Sequence, residues 1–344
     1  MKRKPQFCMQ WHITDRCDQR CKHCYIFAGG EKTISEPAYP ELLAILENYE
    51  LCCSKMGRSP RLAITGGDPL LHPDFWKLAE TVHQKGIPFG ILGNPFHLDA
   101  DVIGHLRRLG CSSYQLSLDG LRQKHDSLRK PGSFDATVRA LRLFQGSGIA
   151  VNIMATVSEY NRTDIPSLVK LVVENGVSSF GFARYCPNPG DEALMISPTD
   201  YRDFLEQMWE EYRKYRDCGT KFALKDHLWK LLLYEKGLYR PEIPEDCKDL
   251  ILDGCHCAIA HISTLSDGTV YACRRCESNV GNALTESLYD IFHGQKMNEY
   301  RKYDSFSHCG SCALKCFCRG CPAVAKCLSG SFYAKDPQCW HGSV

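Results

Sequence analysis

The sequence predicts an α/β fold built on a parallel sheet, followed by a compact cysteine-dense tail. Three observations carry that prediction. Six strand-like runs, at 7–13, 61–65, 88–92, 114–118, 150–157 and 179–184, alternate with helix-like stretches at 41–56, 74–85, 99–109, 134–145 and 165–174. Such alternation implies parallel strands joined by right-handed crossovers, with ligands bound beyond the carboxyl ends of the strands. Of 21 cysteines, eleven lie between Cys255 and Cys339, so composition changes sharply near residue 247.

Each element has a local reason. Pro73-Asp74 and Ser133 stand where helix starts are wanted, and Gly86, Gly110, Gly148 and Gly176 follow helix ends. Residues 201–215 and 222–234 read as two helices whose aromatic residues pack a core. Ser266-Asp267-Gly268, between apolar runs at 259–265 and 269–272, reads as a hairpin. The expected division is 1–198, a helical bridge at 199–246, and the tail at 247–344.

Composition excludes several classes. A net charge of +2 without a basic stripe gives nucleic acid no footprint. No apolar run approaches the ~20 residues of a membrane span. The first residues, Met-Lys-Arg-Lys-Pro-Gln, lack the apolar segment of a signal peptide. An odd cysteine count in a large chain without an export signal fits clustered metal sites in a reducing cytoplasm better than disulfides.

The chemistry centres on Cys17, Cys21 and Cys24, at x3 and x2 spacing in the polar loop after the first strand. Three thiols on one loop can hold three corners of an iron–sulfur cube and leave one iron open, whereas an electron-carrying cluster has every corner closed. Zinc held by the three cysteines with His23 or His12 is the alternative on this loop. Thr65-Gly66-Gly67-Asp68-Pro69 ends the second strand, where paired glycines admit close backbone approach and a carboxylate can accept from an ammonium. Leu116-Ser117-Leu118-Asp119-Gly120 ends the fourth strand, Asn152 and Thr156 lie on the fifth, and Arg184 ends the sixth.

This pattern, with Tyr25 after the third cysteine, resembles the radical S-adenosylmethionine (radical SAM) enzymes. The resemblance implies a partial (β/α)6 barrel in which SAM chelates the open iron. One electron from the cluster then yields a 5′-deoxyadenosyl radical that takes hydrogen from a substrate. It also implies that Gly66, Gly67 and Asp68 bind the SAM amine, that Ser117 and Asp119 lie near the ribose, and that Arg129 pairs the carboxylate. Asn152 and Thr156 are expected to face adenine, and Arg184 to meet SAM or substrate.

The tail reads Cys257-x10-Gly268-x4-Cys273, then Cys309-x2-Cys312-x5-Cys318-x2-Cys321, then Cys339. It is similar to the SPASM extension of radical SAM enzymes, which carries two further [4Fe–4S] clusters and brings the expected total to three. By that resemblance the first auxiliary cluster takes Cys255, Cys257, Cys273 and Cys321, with Cys247 an alternative to Cys255. The second takes Cys309, Cys312, Cys318 and Cys339. The gap from Cys318 to Cys321 is one residue short of the usual form, so Cys316 or Cys327 can substitute, and Cys276 stands close to Cys273. A zinc ribbon on the paired C-x2-C motifs is the rival reading. Cys8, Cys52, Cys53, Cys111, Cys186 and Cys218 read as small core residues.

SPASM enzymes mostly modify ribosomally made peptides. Those that mature sulfatases have an acidic base right after the cysteine matching Cys273, and here that residue is Arg274. The resemblance therefore implies a peptide maturase that forms a thioether or carbon–carbon crosslink. A small-molecule radical SAM dehydrogenase or cofactor-synthesis enzyme is the alternative, and a non-catalytic zinc or iron–sulfur module the alternative of another class. The expected partners are a precursor peptide and an electron donor such as flavodoxin or ferredoxin. With the radical loop starting at residue 17, the peptide's leader is expected to bind the barrel, the segment 199–238 or a separate protein.

Overall fold

The computed structural model describes residues 4–27, 34, 36–188, 190–242 and 251–342. From β1 (Gln6–His12) the chain passes to α1 (Tyr39–Lys55), β2 (Ser59–Thr65), α2 (Phe75–Gln84), β3 (Phe89–Leu92), α3 (Ala100–Arg108) and β4 (Cys111–Ser117). It continues through α4 (Arg122–Leu128), α5 (Ser133–Leu143), β5 (Ala150–Val157), α6 (Ile165–Glu174) and β6 (Ser179–Arg184). Then come α7 (Pro198–Lys214), β7 (Lys221–Ala223) and α8 (Trp229–Glu235). The tail supplies β8 (His261–Thr264), β9 (Thr269–Tyr271), β10 (Asn279–Asn282), α9 (Leu288–His293), α10 (Gln295–Asn298) and α11 (Pro322–Ser329).

Among the described residues the strands form one sheet, ordered β10-β9-β8-β1-β2-β3-β4-β5-β6-β7. From β8 to β7 every neighbouring pair is parallel, and the hairpin β8–β9–β10 is antiparallel. The expected α/β fold is therefore present, with β7 added at one edge and β8, β9 and β10 at the other. Period-2 alternation explains how the sheet buries one face. On β5, Val151, Ile153, Ala155 and Val157 are buried, while Asn152, Met154 and Thr156 are half-buried on the other face. The covering helices answer with apolar stripes at i, i+3, i+4 and i+7: Phe75, Leu78, Ala79 and Val82 on α2, and Ile165, Leu168, Val169 and Val172 on α6.

Three sequence expectations need correction. The run 222–234 is not one helix. Phe222 lies in β7, paired with Phe180 and stacked on Tyr212 at 4.3 Å, and α8 starts only after Asp226 accepts from the Leu228 N–H at 3.0 Å. Helix α4 was not anticipated, because its seven residues are mostly polar and only His125 is buried. Ser133 is the first residue of α5 rather than its cap. Asp126 does the capping, accepting from the N–H groups of Gly132 at 2.9 Å and Phe134 at 2.8 Å.

The segments assigned to bridge and tail share the barrel's sheet and its core. One buried apolar cluster runs from Phe7 and Trp11 through Ile262 to Leu288 and Phe292, and the Phe7 and Phe292 rings meet edge-on at 4.9 Å. The boundary at 246/247 lies outside the described residues.

On the far side of the barrel the tail is tied down by charge. The Arg184 side chain is wholly buried; its Nε donates to Asp226 at 2.8 Å, and its two Nη atoms donate to Asp336 at 2.7 and 2.8 Å. Gln338 accepts a further bond at 3.0 Å. Removing one partner of such a buried pair strands the other charge. Asp336→Ala is expected to lower stability by about 3–5 kcal/mol, read as the unfolding midpoint in denaturant. Glu210→Ala, in an exposed helical pair with Arg213, is expected to change it little.

Candidate functional site

Cys17, Cys21 and Cys24 border one cavity of about 420 Å³ at the carboxyl ends of the strands. Backbone geometry fixes their loop. A Cβ on Gly67 would lie 2.1 Å from the Arg16 carbonyl oxygen and 2.7 Å from the Cys17 Cβ, so the loop packs there only because glycine has none. The Gly67 N–H donates to Thr14 O at 2.9 Å and the Asp68 N–H to Arg16 O at 2.7 Å. From the tail, the Ser266 hydroxyl donates to Asp15 at 2.8 Å, two residues before Cys17.

Donors face the sulfurs. Asn94 Nδ2 lies 3.3 Å and the Gln19 N–H 3.4 Å from the Cys17 Sγ, and Arg129 Nη1 is 3.8 Å from the Cys21 Sγ. Three sulfurs on one cavity with donors aimed at two of them is a donor set that fits an iron–sulfur cluster with an open corner. Tyr25, Gly66, Gly67, Ser117, Arg129 and Thr156 border the same cavity.

Asn152, Asp119 and Asp68 do not. Asn152 shares its face of β5 with Thr156 but sits four residues earlier, about 13 Å away along a strand. It accepts from Ser179 Oγ at 2.7 Å and borders a separate hollow at the amino ends of the strands. Asp119 is fully buried, and its carboxylate takes the Thr156 N–H at 2.7 Å, the Arg129 Nε–H and His23 Nε2 at 3.3 Å. Burial alone would raise that carboxyl, but Arg129 and His23 overcome it and hold it well below the ordinary range. Asp119 thus organises the strand ends from beneath the cavity. His125 works alongside it: its Nδ1 accepts from the Asp119 N–H at 3.0 Å, and burial pulls its ring down to about 4.

Asp68 is buried as well. Its Oδ1 accepts from the Leu70 N–H at 3.3 Å, and its Oδ2 has no hydrogen-bond partner among the described residues. The backbone of Gly66 and Gly67, rather than the Asp68 carboxylate, faces the cavity. Arg184 borders it too, yet its side chain is spent on Asp226 and Asp336 and is not available to SAM or substrate.

The tail cysteines gather in two further places. Cys255, Cys257, Cys273 and Cys321 line one cavity of about 410 Å³, beside His227. Cys309, Cys312, Cys318 and Cys339 line a tight pocket of about 20 Å³. Each group is one of the sets expected from the resemblance. Cys276 packs beside Cys273, Cys316 borders neither space, and Cys247 lies outside the described residues. Cys52, Cys53 and Cys111 are core residues as expected. Cys186 is not simply one: it borders the radical cavity and packs against Cys321 and Cys327.

Sequence reasoning missed Asn94, Lys225 and Arg275, all on the cavity wall. Asn94 follows β3 directly, and its place at a strand end was a usable signal. Lys225 follows β7, which the aromatic pattern concealed.

Burial pushes the Asp68 carboxyl up to about 7 from 3.8. An acid raised on folding favours the fold in its protonated form, so its contribution is full below about pH 4 and is lost as pH rises through about 7. Asp68→Asn removes the titration. Its stability relative to wild type is expected to rise from pH 5 to pH 8 by on the order of 3 kcal/mol, measured as denaturant midpoints. A difference constant with pH would contradict the buried, unpaired carboxyl.

Residues 11–172 match the family model of the radical SAM superfamily, and residues 255–322 match that of an iron–sulfur cluster-binding domain, SPASM. The chain is 31% identical to an Fe-coproporphyrin III synthase of Methanosarcina barkeri over 96% of its length and 86% of the relative's. It is 26% identical to the mycofactocin maturase MftC of Mycobacterium ulcerans, over 97% and 88%. Streptococcus suis SuiB, solved with its precursor peptide SuiA, superposes with a TM-score of 0.76 at 20% identity, over 98% of this chain and 76% of SuiB. Among the described residues no helix is long and apolar enough to cross a membrane. With the three-cysteine loop at the strand ends and relatives aligned along nearly its whole length, the chain belongs to the radical SAM superfamily and is an enzyme of its SPASM subfamily.

Proposed function

We propose that the chain is a peptide maturase that abstracts hydrogen from a ribosomally made precursor and forms a thioether or carbon–carbon crosslink. One observation carries this reading. The radical cavity shares His23, Thr156 and Tyr185 with a neighbouring groove of about 240 Å³ over the strand ends. An elongated space beside the cluster suits an extended chain, which advances about 3.3–3.6 Å per residue. SuiB with its bound peptide and the mycofactocin maturase support the same reading.

When bound, a reduced [4Fe–4S] cluster and SAM supply the 5′-deoxyadenosyl radical. The protein's own part is to hold and orient. Cys17, Cys21 and Cys24 take three irons, the Gly66–Gly67 backbone meets the methionyl amine, and Ser117 and Thr156 face the nucleoside. Arg129, held by Asp119, balances the Cys21 thiolate. Cys255, Cys257, Cys273 and Cys321 hold a first auxiliary [4Fe–4S] cluster, and Cys309, Cys312, Cys318 and Cys339 a second. Clusters held there would supply an acceptor for the electron left by oxidation of the substrate. A flavodoxin or ferredoxin would reduce the radical cluster, a separate protein can present the leader, and a reducing cytoplasm would keep the thiols free.

A second reading rests on the 31% identity to an Fe-coproporphyrin III synthase, which favours a tetrapyrrole substrate. Two measurements decide. Anaerobically loaded protein is expected to hold about twelve irons, and the triple Cys17, Cys21 and Cys24→Ala variant to lose about four together with all 5′-deoxyadenosine formation. A short cysteine-rich peptide encoded beside the gene, co-expressed with the enzyme, is expected to lose two hydrogens per bond by mass spectrometry. An unchanged peptide, with deoxyadenosine released only on adding an iron tetrapyrrole precursor of Fe-coproporphyrin III, would replace the first reading by the second.

A further inference from the structure

The charge lining the radical cavity is one-sided. Arg129, Arg184, Lys225, Arg274 and Arg275 border it, and among the described residues no Asp or Glu does. Three of these cations are committed. Arg129 lies on Asp119 and Cys21, and Arg184 on Asp226 and Asp336. Arg275 donates to the Cys321 Sγ at 3.5 Å and to the Arg184 carbonyl oxygen. Lys225 and Arg274 have no hydrogen bond or ion pair among the described residues. Arg274 only rests over the Tyr25 ring, 5.7 Å from its centroid.

Two uncommitted like charges on one concave wall are unfavourable without an anion between them. The crowding is visible on Lys225, whose ammonium is pushed down by the surrounding protein and then by Arg274. Neither cation has a hydrogen bond to a cysteine sulfur among the described residues: Arg129 faces Cys21, Arg275 faces Cys321, and the motifs expected to face SAM lie on the loops after β2 and β4. Lys225 also borders the cavity of Cys255, Cys257, Cys273 and Cys321, whereas Arg274 borders the radical cavity alone, so Lys225 marks where the two spaces adjoin.

We infer that Lys225 and Arg274 form a binding site for a carboxylate of the substrate, anchoring it between the radical cavity and the first auxiliary cysteine cavity. This rests on the reading that a peptide reacts in the cavity, and it restricts that peptide to one bearing a free C-terminus or an Asp or Glu near the reacting residue. Arg274 offers the planar fork that pairs a carboxylate in two places, and Lys225 a point charge.

The test reads binding rather than turnover, so it stands whether or not a precursor is found. Holoenzyme saturated with SAM is acetylated with limiting N-acetoxysuccinimide, and labelling of Lys225 is followed by peptide mass spectrometry. Three probes are added at about 10 mM, above the ~1 mM dissociation constant of a weak ligand: acetyl-triglycine, acetyl-Gly-Glu-Gly amide and the neutral acetyl-triglycine amide. One or both acidic probes are expected to slow Lys225 labelling by roughly threefold or more over the neutral amide, as a charge-assisted contact allows. The other lysines should be unaffected. Protection by the first probe alone identifies a C-terminal carboxylate, and by the second alone an acidic side chain. Arg274→Gln should abolish the protection and Arg274→Lys retain part of it, both with unchanged iron content. Equal labelling with all three probes would overturn the proposal. So would full protection by SAM alone, since the pair would then serve the cofactor.

Discussion

The parallel ladder between β1 and β8 is the constraint on which the rest depends. Its register pairs Cys8 with His261 and runs to Trp11 with Thr264. The loop that carries Cys17, Cys21 and Cys24 leaves the end of β1, while Cys255 and Cys257 lie just before β8 and Cys273 just after β9. One backbone ladder therefore sets the position of the radical loop relative to the auxiliary cysteines. A slip of one residue would turn every side chain of β8 to the other face. The Ser266–Asp15 bond and the Phe7–Phe292 contact both depend on the observed register.

Arg184 and its two aspartates close the assembly on the other side, and they show how charge is used in this molecule. Arg184, Arg129 and Arg275 are each placed against a fixed anion or carbonyl. Such pairs gain little net stability over apolar packing, but they penalise any arrangement that separates the partners. That suits segments distant in sequence which must meet in one geometry. Asp336 accepts from Arg184, from the Cys321 N–H at 2.6 Å and from the Gln338 N–H at 2.9 Å, so the same carboxylate orients a predicted cluster ligand.

The six barrel strands and the three-cysteine loop were legible because each rests on local spacing: strand alternation needs only nearest neighbours, and the loop thiols stand three and four residues apart. The grouping of the tail cysteines, which joins residues as distant as Cys255 and Cys321, came from the family resemblance and not from spacing. What escaped depends on depth along a strand or on partners far away. Asn152 has the right face and the wrong height. Arg184 has the right height, but Asp226 and Asp336, 42 and 152 residues on, claim its side chain. Strand β7 was read as helix because Phe222 and Trp229 fit a helical stripe, whereas Phe222 is paired with Phe180 across the sheet. Cys186 looked like a core thiol since nothing near it in sequence names Cys321 or Cys327.

The segment between the two family matches, 11–172 and 255–322, is covered by neither model. That segment contributes β6, β7, Tyr185, Cys186 and Lys225, and so much of the cavity wall facing the SAM-binding loops. The shared parts carry what every member must do: three sulfurs at a strand end, glycines beneath them, and thiols to hold further metal. The intervening part carries none of the three radical-loop cysteines; it borders the radical cavity and, through Lys225 and His227, the first auxiliary cysteine cavity. In a scaffold divided in this way, the intervening wall can change without altering the three-cysteine loop. Of the two uncommitted cations, Lys225 lies on that intervening wall, while Arg274 comes from the SPASM match, beside Cys273, so the cavity wall is completed from the cysteine-rich domain.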